Sequence, residues 1–291
     1  MKIIDTHTHG YFGHYDANRE AVQQDCRNAG IEKQIQIGCD EISSLAAIEM
    51  TKQYEGHFAT VGLHPCDVAP FMEGKVENHR LKGFENYQSN IKTTDELFSF
   101  FESLIKDNPK AVVGLGETGF DRYHDQRDIL VDWQAECFVK HLELCQKYDL
   151  PVVIHTRNAN QELLDFLAQH KHFFKGENKV RGVVHCFVED DEMAQILHDE
   201  YDLYFGIGGV ATYNNTEKLA QAIAQMPANR ILTETDAPFL PPKMYRKTVN
   251  KINSPASLPE VVQKIAEIRA TPMAEMAKIL YQNAETLFFS K

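Results

Sequence analysis

Short runs of β-branched and apolar residues alternate along the chain with longer stretches whose apolar positions recur every three to four residues. The runs cover residues 2–9, 33–39, 58–64, 111–117, 151–155, 181–187, 203–208 and 230–236. Brief apolar runs closed by polar residues predict buried strands, and the 3.6-residue period between them predicts amphipathic helices. Helices are expected to begin near Asn18, Ser43, Thr93, Asp125, Asn160, Asp190, Asn215 and Ser257, with a last one over residues 273–289. Ser43 and Asn215 have N-cap chemistry, and Pro272 suits the first position of the last helix. Eight strand-then-helix units in 291 residues predict an α/β fold of the (β/α)8 TIM-barrel type. No Gly/Ser linker interrupts the pattern, so residues 1–291 are expected to form a single domain. Residues 69–94 form the one long irregular connection, expected to be a lid or an insertion.

In such a fold the active site is built where the strands end. The first strand ends in Asp5-Thr6-His7-Thr8-His9, and two residues apart on an extended segment His7 and His9 point to one face. Later strands end in His64-Pro65, Gly116-Glu117, His155-Thr156-Arg157, His185-Cys186 and Glu234-Thr235-Asp236. Any one of these histidines, taken alone, reads as a hydrogen-bonded structural residue. Histidine or acid at six of eight strand ends reads as a metal site instead. Imidazoles and carboxylates suit divalent ions. Four histidines and two carboxylates at such positions are enough for two ions with one carboxylate bridging. The glycines around Glu117 predict a tight turn or a close backbone approach to a ligand. Cys186 is expected to be a buried free thiol.

Composition narrows the function. With 43% hydrophobic and 25% charged residues the chain is an ordinary globular protein. Its net charge of −12 excludes a broad, sequence-independent nucleic-acid binder. It leaves room for a nucleic-acid enzyme whose positive charge is local and carried by metal. The segment after the last strand is basic, with Lys243, Arg246, Lys247 and Lys251. It is a candidate phosphate contact, and Arg157 is the stronger one because it starts at a strand end. The six cysteines form no Cys-x-x-Cys pair and read as free thiols of a reducing compartment. Asp5 ends the first apolar run at once, so a cytoplasmic address is expected, with no membrane association and no obligate protein partner.

Taken together, Asp5-Thr6-His7-Thr8-His9, Val61-Gly62-Leu63-His64-Pro65, residues 114–121, Val153-Ile154-His155-Thr156-Arg157, Val184-His185-Cys186-Phe187, Thr233-Glu234-Thr235-Asp236-Ala237-Pro238 and the closing Asn283-Ala284 resemble, in order, the TatD family of metal-dependent hydrolases. The resemblance implies two divalent metal ions, of Zn, Mn, Mg or Ni. His7, His9, Glu117 and Asp236 would hold one, and Glu117, His155 and His185 the other. Asp236 and Glu117 would be catalytic, Asp236 as general base, while His64 and Arg157 would bind substrate phosphate. The implied activity is a deoxyribonuclease working on single-stranded DNA ends as a 3′-5′ exonuclease. The alternative is hydrolysis of an ester, amide or lactone, such as aminoacyl-tRNA deacylation. Glu117 stands where related barrels often carry a modified lysine, which favours the phosphodiesterase. The stretch 69–94 looks longer than the family's usual connection.

Overall fold

The computed structural model describes residues 1–75, 81–123, 126–247 and 252–290. Its sheet has eight strands in the order of the chain: β1 (Ile3–Thr8), β2 (Ile31–Gln36), β3 (His57–Val61), β4 (Val112–Asp121), β5 (Val152–Arg157), β6 (Gly182–Val184), β7 (Tyr204–Ile207) and β8 (Ile231–Thr233). Beyond β8 the chain returns to β1, with Asp236 N–H donating to His7 O at 2.9 Å and His9 N–H to Ala237 O at 2.8 Å. The helices are α1 (Arg19–Ala29), α2 (Glu41–Gln53), α3 (Pro65–Met72), α4 (Thr94–Asp107), α5 (Asp128–Tyr148), α6 (Asn160–Gln169), α7 (Asp191–Tyr201), α8 (Glu217–Gln225), α9 (Leu258–Ile268) and α10 (Met273–Ala284). Strand followed by helix along a sheet in sequential order is the (β/α)8 arrangement that the hydrophobic pattern predicts. The chain divides into two compact units, residues 1–35 with 184–290, and residues 36–183.

In the first unit, α10 packs on β1 and β8. Asn283 on α10 donates to Ala228 O and Ile231 O, both at 2.8 Å, and so anchors the entry to β8. Asn253 braces the far end of β8, its amide donating to Thr235 O at 2.9 Å. Asp5 closes the same corner by accepting from the Thr235 hydroxyl at 2.6 Å and the Thr235 N–H at 3.0 Å.

In the second unit, Phe120 of β4 meets Phe138 of α5 and Phe166 of α6, and the latter two rings stack at 4.4 Å. All three are buried. A fully buried histidine, His141 on α5, holds the segment before α3: Leu63 N–H donates to its Nε2 at 3.2 Å, and its Nδ1 donates to Cys137 O at 2.8 Å. Burial drives the His141 pKa down from 6.5 to about 4, against the opposing hydrogen bond to Cys137. A base depressed on folding adds stability that is complete above pH 6.5 and is lost as pH falls toward 4. From the shift, that loss amounts to about 3 kcal/mol. In denaturant titrations, His141→Gln should therefore lose about 3 kcal/mol less than the parent between pH 7 and pH 4. Equal losses in the two proteins would refute the assignment.

Several expected boundaries move. Strands β6 and β8 stop at Val184 and Thr233, so His185 and Asp236 sit just beyond the extended backbone. Strand β4 runs four residues past Glu117, and the stretch expected as a tight turn is strand. Helix α2 begins at Glu41 with Asp40 as its cap; Ser43 is the third helical residue and completes a capping box. Helix α8 is capped at Thr216, and Asn215 precedes it at φ +59°. Pro272 caps α10 from outside, and the last turn, Glu285–Phe289, widens to a π-helix. The expected start at Asp125 lies outside the described residues, as does Lys251. Part of the 69–94 connection is helical, because α3 extends to Met72. A cavity of about 830 Å³ in the second unit is lined by residues of this connection, among them Phe71 and Ile91, together with Cys66 and Asp121.

Candidate metal centre

The second unit gathers His64, Glu117 and His155, whose ligand atoms all lie within 4.8 Å of one another. Backbone geometry makes this possible. Strand β4 pairs with β5 in parallel, with Gly119 opposite His155 and Asp121 opposite Arg157. The register shifts between Leu115 and Thr118, the stretch that holds Glu117. Gly119 has φ +133°, and a Cβ there would stand 2.1 Å from His155 O. Only glycine allows that approach. The His155 imidazole lies between two carboxylates: Nδ1 is 2.7 Å from Glu117 Oε1, and Nε2 is 3.0 Å from Asp121 Oδ2.

This arrangement tests whether a metal fits. A neutral imidazole has one N–H. With that proton donated from Nε2 to Asp121, the Nδ1 lone pair faces an anionic oxygen at 2.7 Å. A proton held at that contact, or a metal ion in its place, reconciles the two. Asp121 is built to stay anionic. Burial pushes its carboxyl up, but hydrogen bonds from His155, the Tyr123 N–H and the Cys66 thiol outweigh that and hold it at about 2. The Cys66 thiol is itself pushed up, first by burial and then by the Asp121 charge, and so stays protonated. His64 caps α3 and takes Cys66 N–H on Nδ1 at 3.0 Å. Its proton is thereby placed on Nε2, 3.5 Å from Glu117 Oε1.

The first unit gathers His7, His9 and Asp236, again within 4.8 Å. Asp236 Oδ1 is 3.8 Å from His7 Nε2 and 3.3 Å from His9 Nε2. Burial raises the Asp236 carboxyl, but the hydrogen bond with His9 and the proximity of His185 and His7 bring it below the usual range. The His185 ring stacks on His7 at 3.4 Å. Glu234, buried below it, has Oε1 2.8 Å from His185 Nδ1 and takes Cys186 N–H at 2.6 Å. The donor chemistry of both clusters, imidazole with carboxylate, suits divalent ions.

The TatD-related DNase family pattern matches residues 4–289. The chain belongs to this family. It is similar to the Bacillus subtilis protein YabD, described as an uncharacterized metal-dependent hydrolase, at 29% identity over 286 residues, 98% of each chain. Escherichia coli YjjV, described in the same words, is 28% identical over 287 residues, 99% of this chain and 98% of that protein. The crystal structure of YjjV, a TatD homologue, aligns with a TM-score of 0.79 at 26% identity, covering 99% of this chain and 98% of that one. The fold is therefore the (β/α)8 barrel of the TatD proteins, and the chain is a metal-dependent hydrolase.

Two carboxylates of this TatD-family protein, given no role of their own by the sequence, lie against these histidines. Asp121 Oδ2 lies 3.0 Å from His155 Nε2 and Glu234 Oε1 2.8 Å from His185 Nδ1, the kind of place a carboxylate takes behind an imidazole ligand. The signal for Asp121 was available in the even spacing from Glu117 through Gly119 along one strand face. Arg157 is exposed, with its guanidinium 3.6 Å over the Tyr123 ring. Cys186 is a free thiol but half-buried, not buried, at φ +47°. The left-handed turn that directs its N–H to Glu234 keeps its side chain partly in solvent.

Proposed function

We propose that this TatD-family hydrolase cleaves phosphodiester bonds, as a deoxyribonuclease acting on single-stranded DNA ends in the 3′-5′ direction. The observation that carries this reading is the cluster around Glu117. It contains a His155–Glu117 contact that a proton or a divalent ion can occupy, and beside it a histidine, His64, whose Nε2–H is free of the backbone and set to donate to a phosphoryl oxygen. In this reading His7, His9, Glu117 and Asp236 would hold one divalent ion, and Glu117, His155 and His185 a second. Bound there, divalent ions would supply positive charge at the phosphoryl oxygens and lower the pKa of the attacking water.

The protein residues do the rest. Asp236, held ionised by its histidine neighbours, accepts the proton of the attacking water and aims it at phosphorus. His64 donates to an equatorial oxygen, and Arg157 offers a guanidinium at the same strand end as His155. Asp121 and Glu234 keep the imidazoles turned toward the reacting groups. Six free thiols suit a reducing compartment, and the cytoplasm is the address proposed.

The test is a single-stranded oligonucleotide labelled at its 5′ end, incubated with protein reconstituted in Zn, Mn, Mg or Ni. The expected result is a ladder shortening from the 3′ end, abolished by a chelator and restored by added metal. Intact strands with all four metals, alongside hydrolysis of an ester or amide panel, would overturn the reading.

A further inference from the structure

Single apolar side chains often stand in solvent, and it is position and fixation rather than exposure that single one out. Phe239 stands three residues past Asp236, with 46% of its surface exposed. It is not a loose side chain. Its ring is met edge-on by three others: Phe12 at 5.9 Å and 74°, His9 at 6.1 Å and 66°, and His14 at 6.3 Å and 74°. Phe12 in turn lies flat against His9, with centroids 5.1 Å apart and planes at 10°. The chain under Phe239 is fixed as well. Its N–H donates to Asp236 O at 2.8 Å, and Pro238 O accepts from the buried Asn253 N–H at 2.8 Å. The outcome is a rigid ring with a solvent-facing surface, one hydrogen bond along the backbone from Asp236 and in ring contact with His9.

We propose that Phe239, propped by Phe12, His9 and His14, is a stacking platform for the nucleobase of the nucleotide whose phosphate reaches Asp236. The inference rests on the phosphodiesterase reading above and specifies what that site recognises. An aromatic face binds any base through its π-surface and needs no hydrogen-bond readout, so it serves an enzyme that shortens strands of mixed sequence. A platform of this kind requires an unstacked base, and so it selects single strands or frayed ends over duplex. The same loop carries positive charge: Lys243 and Arg246 are both exposed, and Arg246 lies 4.7 Å over the Tyr213 ring. In a chain of net charge −12, cations on the loop that bears the exposed ring match a backbone running past it.

The experiment compares the parent, Phe239→Ala and Phe239→Trp, all metal-loaded, on a thymidine hexanucleotide and on the same strand with an abasic terminal nucleotide. Binding of both strands is also followed by fluorescence anisotropy in chelator, where nothing is cleaved. Phe239→Ala should raise KM and weaken binding about ten-fold on the normal strand, the size expected for one stacked base. The abasic strand should not distinguish it from the parent, and Phe239→Trp should restore the parent values. A loss of equal size on the abasic strand, or no loss on either, overturns the platform. Base-dependent binding without cleavage overturns the nuclease reading and leaves the platform standing. Cleavage indifferent to Phe239 does the reverse, and neither binding nor cleavage by the parent removes both.

Discussion

Asp236→Asn should leave a folded protein that binds metal and hydrolyses its substrate 10²- to 10⁴-fold more slowly, the range in which a positioned general base contributes. The substitution is nearly isosteric. An amide oxygen remains 3 to 4 Å from the two imidazoles that Asp236 now faces, at 3.3 Å from His9 and 3.8 Å from His7. What disappears is the ability to take a proton. In the parent that ability is secured by the surroundings, because burial alone would favour the neutral acid and the three histidines reverse it. Two measurements check the prediction: turnover on a labelled oligonucleotide, and metal content of the purified variant by mass spectrometry. Full activity would remove Asp236 as the base. Lost activity together with lost metal would reassign it as a ligand only.

Glu117→Gln is expected to act first on metal affinity and through that on activity. The Glu117 carboxylate is the one anion facing both His155 Nδ1, at 2.7 Å, and His64 Nε2, at 3.5 Å, in this cluster. A neutral amide there removes the negative charge that makes the cluster attractive to a cation. Removal of outer partners of metal ligands already costs 10- to 100-fold in affinity, and a group placed to touch the ion should exceed that. The readout is independent of turnover. A ligand that binds only the folded state raises the melting temperature by mass action, so titrating Zn or Mn into metal-stripped parent should raise its midpoint, and the variant should respond weakly at the same concentrations. Equal responses would take Glu117 out of the metal site.

Much of this was open to inspection before any coordinates. The eight strands were legible because each is a compact apolar run with a polar stop, and Thr93 and Asp190 were legible as helix starts because N-cap chemistry is local. The ligand types were legible because they stand at strand ends. Other features were hidden for identifiable reasons. Helix α3 was missed because its sequence, Pro-Cys-Asp-Val-Ala-Pro-Phe-Met, holds two prolines and too few residues to show a period. The turn expected after Gly116 was misplaced because glycine marks a special backbone without saying which one. Here it allows β4 to press against β5 and continue as strand. Asp121 shares a strand face with Glu117, but which imidazole it touches, and which one Glu234 touches, is set only by the fold.

The order of residues along the chain determined the element types, their alternation and the chemical identity of every candidate ligand, because these follow from side-chain character and short-range periodicity. Which nitrogen of each histidine faces a carboxylate, which acid lies behind which ring, and that Phe239 stands half in water on a frame of three other rings depend on register and on packing across many residues of chain. A strand's side chains know their face from a two-residue period, but what they meet on that face is set by the neighbouring strand. Only the folded protein brought Gly119 opposite His155 and so slipped one imidazole between two carboxylates.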